Sequence, residues 1–394
     1  MNRSTILVAF LHLTLATMLV AQEVVRDTIQ YAGLERSFLL YVPADYQPEE
    51  NWPLVMVLHG GGNGNGEEIL QRLRFHEVAD TAGYLCFIPN GSDNQWADGR
   101  GATTPDLEGV DDVQFLQDVL DTLAQDYPFD HNNVFVTGAS NGGMMTQRLA
   151  CEATSRFRAY ASIIASMPEP VAQNCSPDIP VPMLLMNGTE DTLVPYEGGP
   201  LSPLTDGGSV TGTDSTISFW RNINACNSSV ELVDVADTDL TDGSTVQYSR
   251  WGSCADSTDV VLYRVEGGGH TVPGMVAAQN PRPLVGYVNY DIEAATEIWA
   301  FFKSHLASGT TSPRDRTDPV EQIRVFPNPS SGELHIQGLE RYADFHIQLS
   351  DQQGRVLVHA QNKHTIDTSQ LPKGMYYLQI RTEGKVLNRV VAMR

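Results

Sequence analysis

The chain has 394 residues, long for one domain, so a catalytic body with a smaller appendage is the first expectation. Its formal net charge of −23 lies wholly before Ile323, because from there onward nine Lys or Arg face six Asp or Glu. A body this acidic argues against nucleic acid and anionic membrane as partners.

Met1–Ala21 carries Arg3 and an apolar run from Ile6 to Val20 broken by His12, Thr14 and Thr17. That pattern predicts a secretory signal peptide cleaved after Ala21. The run is shorter than the roughly 20 apolar residues of a membrane span. No later stretch is apolar enough to cross a bilayer, so a secreted chain without a transmembrane segment is expected.

Phe38–Val42 reads as an early, partly exposed strand ending at Pro43. Leu54–Leu58 is continuously apolar, typical of a parallel strand covered on both faces, and runs into His59-Gly60-Gly61-Gly62. Glu67–Ala82 is predicted as a helix, Tyr84–Ile88 as a strand and Asp112–Asp126 as a helix. Val134–Thr137 is a short buried strand, and Met145 and Leu149, spaced i, i+4, mark one face of a following helix. Strands over Ala161–Ala165, Val181–Met186 and Val260–Val265 and helices over Ser215–Ile223 and Asp291–His305 complete the alternation. The expectation for 22–306 is an α/β fold, a mostly parallel sheet flanked by helices. Ala307–Gln322 is polar, rich in Pro, Gly, Ser and Thr, and reads as a linker. Residues 323–394 change to short strands separated by turn signals, which predicts a small all-β sandwich.

Export makes disulfides admissible, and five cysteines allow two pairs and one thiol. Sequential pairing, Cys151–Cys175 and Cys226–Cys254, is expected. Cys86, inside the apolar strand Tyr84–Ile88, is expected to be a buried free thiol.

Between the strand ending at Thr137 and the helix bearing Met145 stands Gly138-Ala139-Ser140-Asn141-Gly142. Strand, tight turn and helix around G-x-S-x-G form a nucleophile elbow, with glycines that permit a strained turn and a serine hydroxyl exposed above the sheet. Such a serine needs a base, and the base a carboxylate, in the chain order Ser, Asp or Glu, His. His270, in Gly267-Gly268-Gly269-His270 just past a strand, is the candidate base, although a lone histidine is ordinarily a surface or capping residue. Asp191, in the loop after Val181–Met186, is the candidate acid. Glu190 is the local rival, and Asp234 and Asp237 are remote ones better explained as solvated loop charge. The bare backbone of His59–Gly62 suits one half of an oxyanion hole, with Gly61 or a neighbouring glycine as donor, and the N–H of Asn141 suits the other. No Lys-Ser/Thr follows these glycines, so a phosphate-binding P-loop is excluded. Trp96 and Tyr196 are candidates to line a substrate cleft, or else core and rim aromatics.

With these motifs in place, the stretch from about Val25 to Leu306 resembles the secreted polyhydroxybutyrate depolymerase-type esterases, which include feruloyl esterases. The matching segments are Leu58–Asn63, Asp111–Val113, Gly138–Met144, Asn187–Pro195 and Gly267–Gly274. The resemblance implies an α/β-hydrolase fold with Ser140, Asp191 and His270 as triad. It also implies the two disulfides and ester hydrolysis without metal or cofactor. The family commonly has Trp two residues after the histidine, where this chain has Val272, which predicts a cleft widened on its acyl side. Ala139 and Asn141 flank the serine as in the feruloyl-type members. The expected substrate is therefore a feruloyl or acetyl ester of plant cell-wall polysaccharide, with a polyester depolymerase as the alternative. A catalytically silent surface adhesin has no need of all three triad residues.

The tail, with Val325-Phe326-Pro327-Asn328-Pro329 and Lys373-Gly374-Met375-Tyr376-Tyr377, is similar to C-terminal sorting domains of type IX secretion. This implies secretion machinery as partner and an extracellular or cell-surface location. A carbohydrate-binding module is the alternative, but the tail has no Trp to serve as a binding platform.

Overall fold

A computed structural model describes residues 23–307 other than 63, 228 and 277–284. It also describes residues 324–393 other than 327–329, 331, 338, 340–343, 352–354 and 383–384. The signal peptide expected at Met1–Ala21 and, beyond Ala307, the linker lie outside the described residues. The chain divides into two compact units, Met1–Ser312 and Pro313–Arg394.

The first unit is built on strands β1 (Glu23–Tyr31), β2 (Leu34–Val42), β3 (Leu54–Leu58), β4 (Leu85–Pro89), β5 (Val134–Ala139), β6 (Tyr160–Ile163) and β7 (Met183–Gly188). A two-residue pair, β8 (Gly199–Pro200) and β9 (Ser209–Val210), forms a separate hairpin. Strands β10 (Glu231–Asp234), β11 (Thr245–Trp251) and β12 (Val260–Glu266) return to the main sheet. That sheet has ten strands in the order β1-β2-β4-β3-β5-β6-β7-β12-β11-β10. The six central strands, from β4 to β12, pair in parallel, and the two at each edge pair antiparallel.

Helices α1 (Gly66–Leu73), α2 (Phe75–Ala82), α3 (Thr104–Glu108), α4 (Asp112–Asp126), α5 (Asn141–Glu152), α6 (Glu169–Asn174), α7 (Thr213–Ile223) and α8 (Ala294–Ser304) flank it. Alternation along each central strand sends successive side chains into two cores. Val55 and Val57 pack with Phe75, Phe135, Trp299 and Phe302 from one face, and Leu54, Met56 and Leu58 pack with Phe115, Met145 and Trp220 from the other. Both faces are covered, which is why β3 and β4 are apolar throughout and β5 to β7 are buried along their whole length.

Three features depart from the sequence expectation. Glu67–Ala82 is two helices, because Arg74 takes a left-handed conformation (φ 57°) with its guanidinium on Glu77. Strand β1 and the antiparallel pair β10 and β11 were not foreseen, because their solvent-facing residues carry no continuous apolar run. The short helices α3 and α6 also went unforeseen, each with a proline near its start and too few residues to show a period.

The second unit has two antiparallel sheets. One joins β13 (Arg324–Phe326), β14 (Glu333–Gln337) and β17 (Thr365–Asp367); the other runs in the order β16 (Val356–Gln361), β15 (Phe345–Ser350), β18 (Gly374–Thr382) and β19 (Lys385–Met393). Leu334, Ile336 and Ile366 from the first sheet share one core with Ile347, Leu349, Leu378 and Ile380 from the second. No described helix is long and apolar enough to cross a membrane.

Candidate active site

The centre of the site is the junction of β5 and α5. Ser140 stands there at φ 56°, ψ −120°, a strained conformation for a residue with a side chain, and its N–H donates to Ile163 O at 2.9 Å. The strain is held by close backbone packing. A Cβ on Gly138 would stand 2.4 Å from Gly142 O, and one on Gly142 would stand 2.4 Å from Leu58 O. Only glycine lets α5 start so near the end of β3.

Two further turns meet the serine. The turn after β7 carries Asp191, and the turn after β12 carries His270. They are lashed together by Glu190 N to Gly268 O (2.9 Å), Thr189 N to Val265 O (2.9 Å) and Gly267 N to Thr189 Oγ1 (2.9 Å). Gly188 is required at their contact, since a Cβ there would meet Gly268 O at 2.3 Å. His270 Nε2 lies 2.9 Å from Ser140 Oγ, and His270 Nδ1 lies 2.7 Å from Asp191 Oδ2. The other carboxylate oxygen of Asp191 accepts from Leu193 N (2.9 Å) and Val194 N (2.8 Å), which fixes the carboxylate plane. Asp191 is buried, whereas Glu190, Asp234 and Asp237 are exposed on the surface. An ionised carboxylate only accepts, so the imidazole carries its proton on Nδ1 and turns a lone pair at Nε2 toward the serine hydroxyl.

The loop after β3 lies over the elbow. A Cβ on Gly60 would be 3.5 Å from Ser140 Cβ, and one on Gly61 would be 3.5 Å from Asn141 Cβ. His59 anchors this loop from below. Its Nε2 accepts from Gly91 N at 2.9 Å, which leaves Nδ1–H to donate to Gly60 O at 2.7 Å. Burial holds the imidazole neutral, with its pKa lowered to about 4. Asn141, first residue of α5, has no intrahelical partner for its N–H.

The three residues expected to contact substrate do not line an open cleft. Trp96 is fully buried, with Nε1–H donating to His59 O at 2.9 Å. Tyr196 is buried under Arg264, and its hydroxyl donates to Asp214 Oδ1 at 2.9 Å. Val272 is buried in one apolar cluster with Met275, Val288 and Ile292, so its size sets core packing and not cleft width. In each case the aromatic or aliphatic body found a place in the core, a destination no local pattern encodes.

A buried polar group that sequence reasoning missed sits behind the elbow. Asp98 Oδ2 accepts from Asn141 Nδ2 at 2.6 Å, and Arg100 Nε lies 3.0 Å from the same oxygen, an ion pair without hydrogen-bond alignment. Burial is the main influence on Asp98 and raises its pKa to about 7, against the opposing pull of Arg100. Nearby, Arg36 donates to Asp112 Oδ1 at 2.7 Å and stacks on Phe115, while Asp112 Oδ2 accepts from Ala97 N at 2.8 Å. Asp98 and Arg100 belong to no recognisable spacing, and only the folded chain brings them to Asn141.

Disulfides Cys151–Cys175 and Cys226–Cys254 are formed, and Cys86 is a buried free thiol. The first ties the end of α5 to the end of α6. Among the described residues no group of three or more His, Cys, Asp or Glu could hold a metal ion.

A ten-stranded, mostly parallel sheet with a strained serine at a strand-to-helix turn, a histidine in contact with it and a carboxylate on that histidine defines an α/β-hydrolase of serine-esterase type. Family models match two parts of the chain. Residues 324–393 match the secretion system C-terminal sorting domain, and residues 82–168, from the end of α2 through the elbow to just before α6, match the prolyl oligopeptidase family. Among relatives, NocK of Nocardia uniformis subsp. tsuyamanensis, an esterase by designation, is 28% identical over 273 residues, covering 67% of this chain and 78% of NocK. The bifunctional acetylxylan esterase/xylanase XynS20E of Neocallimastix patriciarum is 27% identical over 173 residues, covering 44% of this chain and 24% of that protein. Feruloyl esterase C of Emericella nidulans is 28% identical over 170 residues, covering 42% of this chain and 58% of that protein. The chain thus spans less than two thirds of the latter two. Before its sorting domain the chain is similar to esterases, feruloyl esterases among them, and the type IX secretion sorting domain directs it to the exterior or the cell surface.

Proposed function

We propose that the protein is a carboxylic ester hydrolase in which Ser140 is the nucleophile, His270 the general base and Asp191 the residue that orients and stabilises the imidazole. The observation that carries this is the unbroken contact chain from Asp191 Oδ2 through His270 to Ser140 Oγ. Ser140 Oγ attacks the ester carbonyl as His270 Nε2 takes its proton. The alkoxide of the tetrahedral intermediate is met by the N–H of Asn141 and by an N–H of the glycine loop after β3, that of Gly61 or a neighbouring glycine. Collapse expels the alcohol, protonated by His270, and leaves an acyl-serine. Water, deprotonated by the same imidazole, then releases the acid and restores Ser140. No step calls for a metal or cofactor.

The acyl and alcohol partners are a feruloyl or acetyl group on a plant cell-wall polysaccharide. Support comes from the named activities of the acetylxylan and feruloyl esterase relatives, together with an exported destination where such polymers are met. The test is turnover of p-nitrophenyl acetate by the full chain and by Ser140→Ala, followed by methyl ferulate and acetylated xylan side by side. Ser140→Ala should lower turnover by about 10⁴–10⁶ with the fold intact. If it kept more than about a few per cent of parent turnover, the nucleophile would be another residue.

A further inference from the structure

We propose that Asp98 is a positioning residue for the oxyanion-binding N–H of Asn141, acting through the buried Asn141 side chain. The inference rests on the esterase reading above and assigns a role outside the triad.

The Asn141 side chain is held behind the elbow by three hydrogen bonds, with both amide protons donated and its oxygen accepting one bond. Oδ1 accepts from Trp96 N at 2.8 Å, while Nδ2 donates to Trp96 O at 3.1 Å and to Asp98 Oδ2 at 2.6 Å. The reverse orientation of the amide would set its oxygen against the Asp98 carboxylate and the Trp96 carbonyl, so only one orientation is allowed. Both Asn141 and Asp98 are shut off from water, at 2% and 0% exposure. A first-turn helical side chain is ordinarily solvated, and a buried carboxylate is costly unless its partners are well placed. Here the carboxylate is fixed on the far side as well. Asp98 Oδ1 accepts from Arg100 N at 3.2 Å, Arg100 Nε pairs with Oδ2, and Arg100 Nη1 donates to Thr205 O (2.8 Å) and Gly207 O (3.2 Å) in the β8–β9 hairpin. The hairpin in turn packs Leu201 and Val210 on Met144, in the first turn of α5. Asp98 therefore stands between the hairpin and the elbow and sets where α5 begins. Because a donor displaced by even about 1 Å loses much of its hold on an alkoxide, the carboxylate acts on the transition state without touching substrate.

Asp98→Asn keeps the shape but presents an NH₂ either to Asn141 Nδ2 or to Arg100 N, a donor facing a donor. In the full chain, with competent sites counted by stoichiometric fluorophosphonate labelling, kcat per labelled site on p-nitrophenyl acetate should fall by about 10- to 100-fold, with KM within about threefold of the parent. The inhibition constant of an aryl trifluoromethyl ketone, which forms an alkoxide on the serine, should rise in proportion. Asn141→Ala, which removes the held amide and keeps the backbone N–H, should show the same loss, and the double variant should add less than about threefold. A purely structural role would lower the number of labelled sites and leave kcat per site unchanged. If kcat per site stays within about threefold of the parent in Asp98→Asn, or in Asn141→Ala should Asp98→Asn not fold, the positioning role is overturned. A parent chain without Ser140-dependent turnover would overturn the triad, and this inference with it. An active, Ser140-dependent parent beside an unaltered variant overturns the positioning alone.

Discussion

Gly142 and Leu58 meet backbone to backbone: a Cβ on Gly142 would stand 2.4 Å from the Leu58 carbonyl oxygen and 2.5 Å from that of His59. The helix that follows the serine thus starts against the strand that leads into the glycine loop. Gly142→Ala should push α5 away from β3, at about 3 kcal/mol of stability. Turnover should fall about 100-fold, since Ser140 and the glycine loop would separate. Urea denaturation and steady-state kinetics check the two effects. A stable, fully active Gly142→Ala would show that the elbow tolerates a wider gap.

Asp191→Asn retains an oxygen for Leu193 N and Val194 N and offers His270 Nδ1 a donor in place of an acceptor. The imidazole would then carry its proton on Nε2 and lose its power to accept from Ser140. Turnover should drop by about 10⁴ with no change in the fold. Circular dichroism and p-nitrophenyl acetate kinetics decide it, and a loss below about tenfold would count against Asp191 as the orienting acid.

Val272→Trp would force a large ring into the cluster with Met275, Val288 and Ile292. Stability should fall by about 2–3 kcal/mol. The ratio of kcat/KM for methyl ferulate over an acetate ester should remain within about twofold of the parent. A clear shift of that ratio toward ferulate would place the side chain at the substrate after all.

His59 makes stability depend on pH. The folded chain protonates this ring only near pH 4, whereas the unfolded chain does so near the ordinary value of 6.5. Between these limits the unfolded state binds more protons, so stability is lost as pH falls from about 6.5 to about 4, by roughly 3 kcal/mol from this group. His59→Gln removes the titration and keeps an acceptor for Gly91 N. Urea midpoints at pH 7.5 and pH 4.5 should therefore differ less in the variant than in the parent. Equal pH dependence in both chains would mean that His59 is not held neutral by burial.

What could be read from the sequence is what neighbouring residues decide together. Leu54–Leu58 and Val134–Val136 are apolar at every position because a central parallel strand is covered on both faces, and that requirement is written locally. The same holds for the elbow, where a serine between close-set glycines can have φ 56° only if the chain around it is bare. Chain order and the glycine-rich turns then pointed to Asp191 and His270, and in the fold His270 lies within hydrogen-bond reach of both Asp191 and Ser140. Tertiary structure alone decided the rest. Trp96, Tyr196 and Val272 went to the core and not to a cleft, because an apolar side chain takes whichever cavity distant segments leave for it. Arg74 breaks a helix that its neighbours would continue, held by pairing with Glu77 and with Glu293 from 219 residues further on. Asp98 and Arg100 had no motif to announce them; their bonds to Asn141 and to the β8–β9 hairpin span 43 to 107 residues. Periodicity and turn chemistry act over a few residues, whereas burial, desolvation and the pairing of polar groups are settled only when remote parts of the chain are brought together.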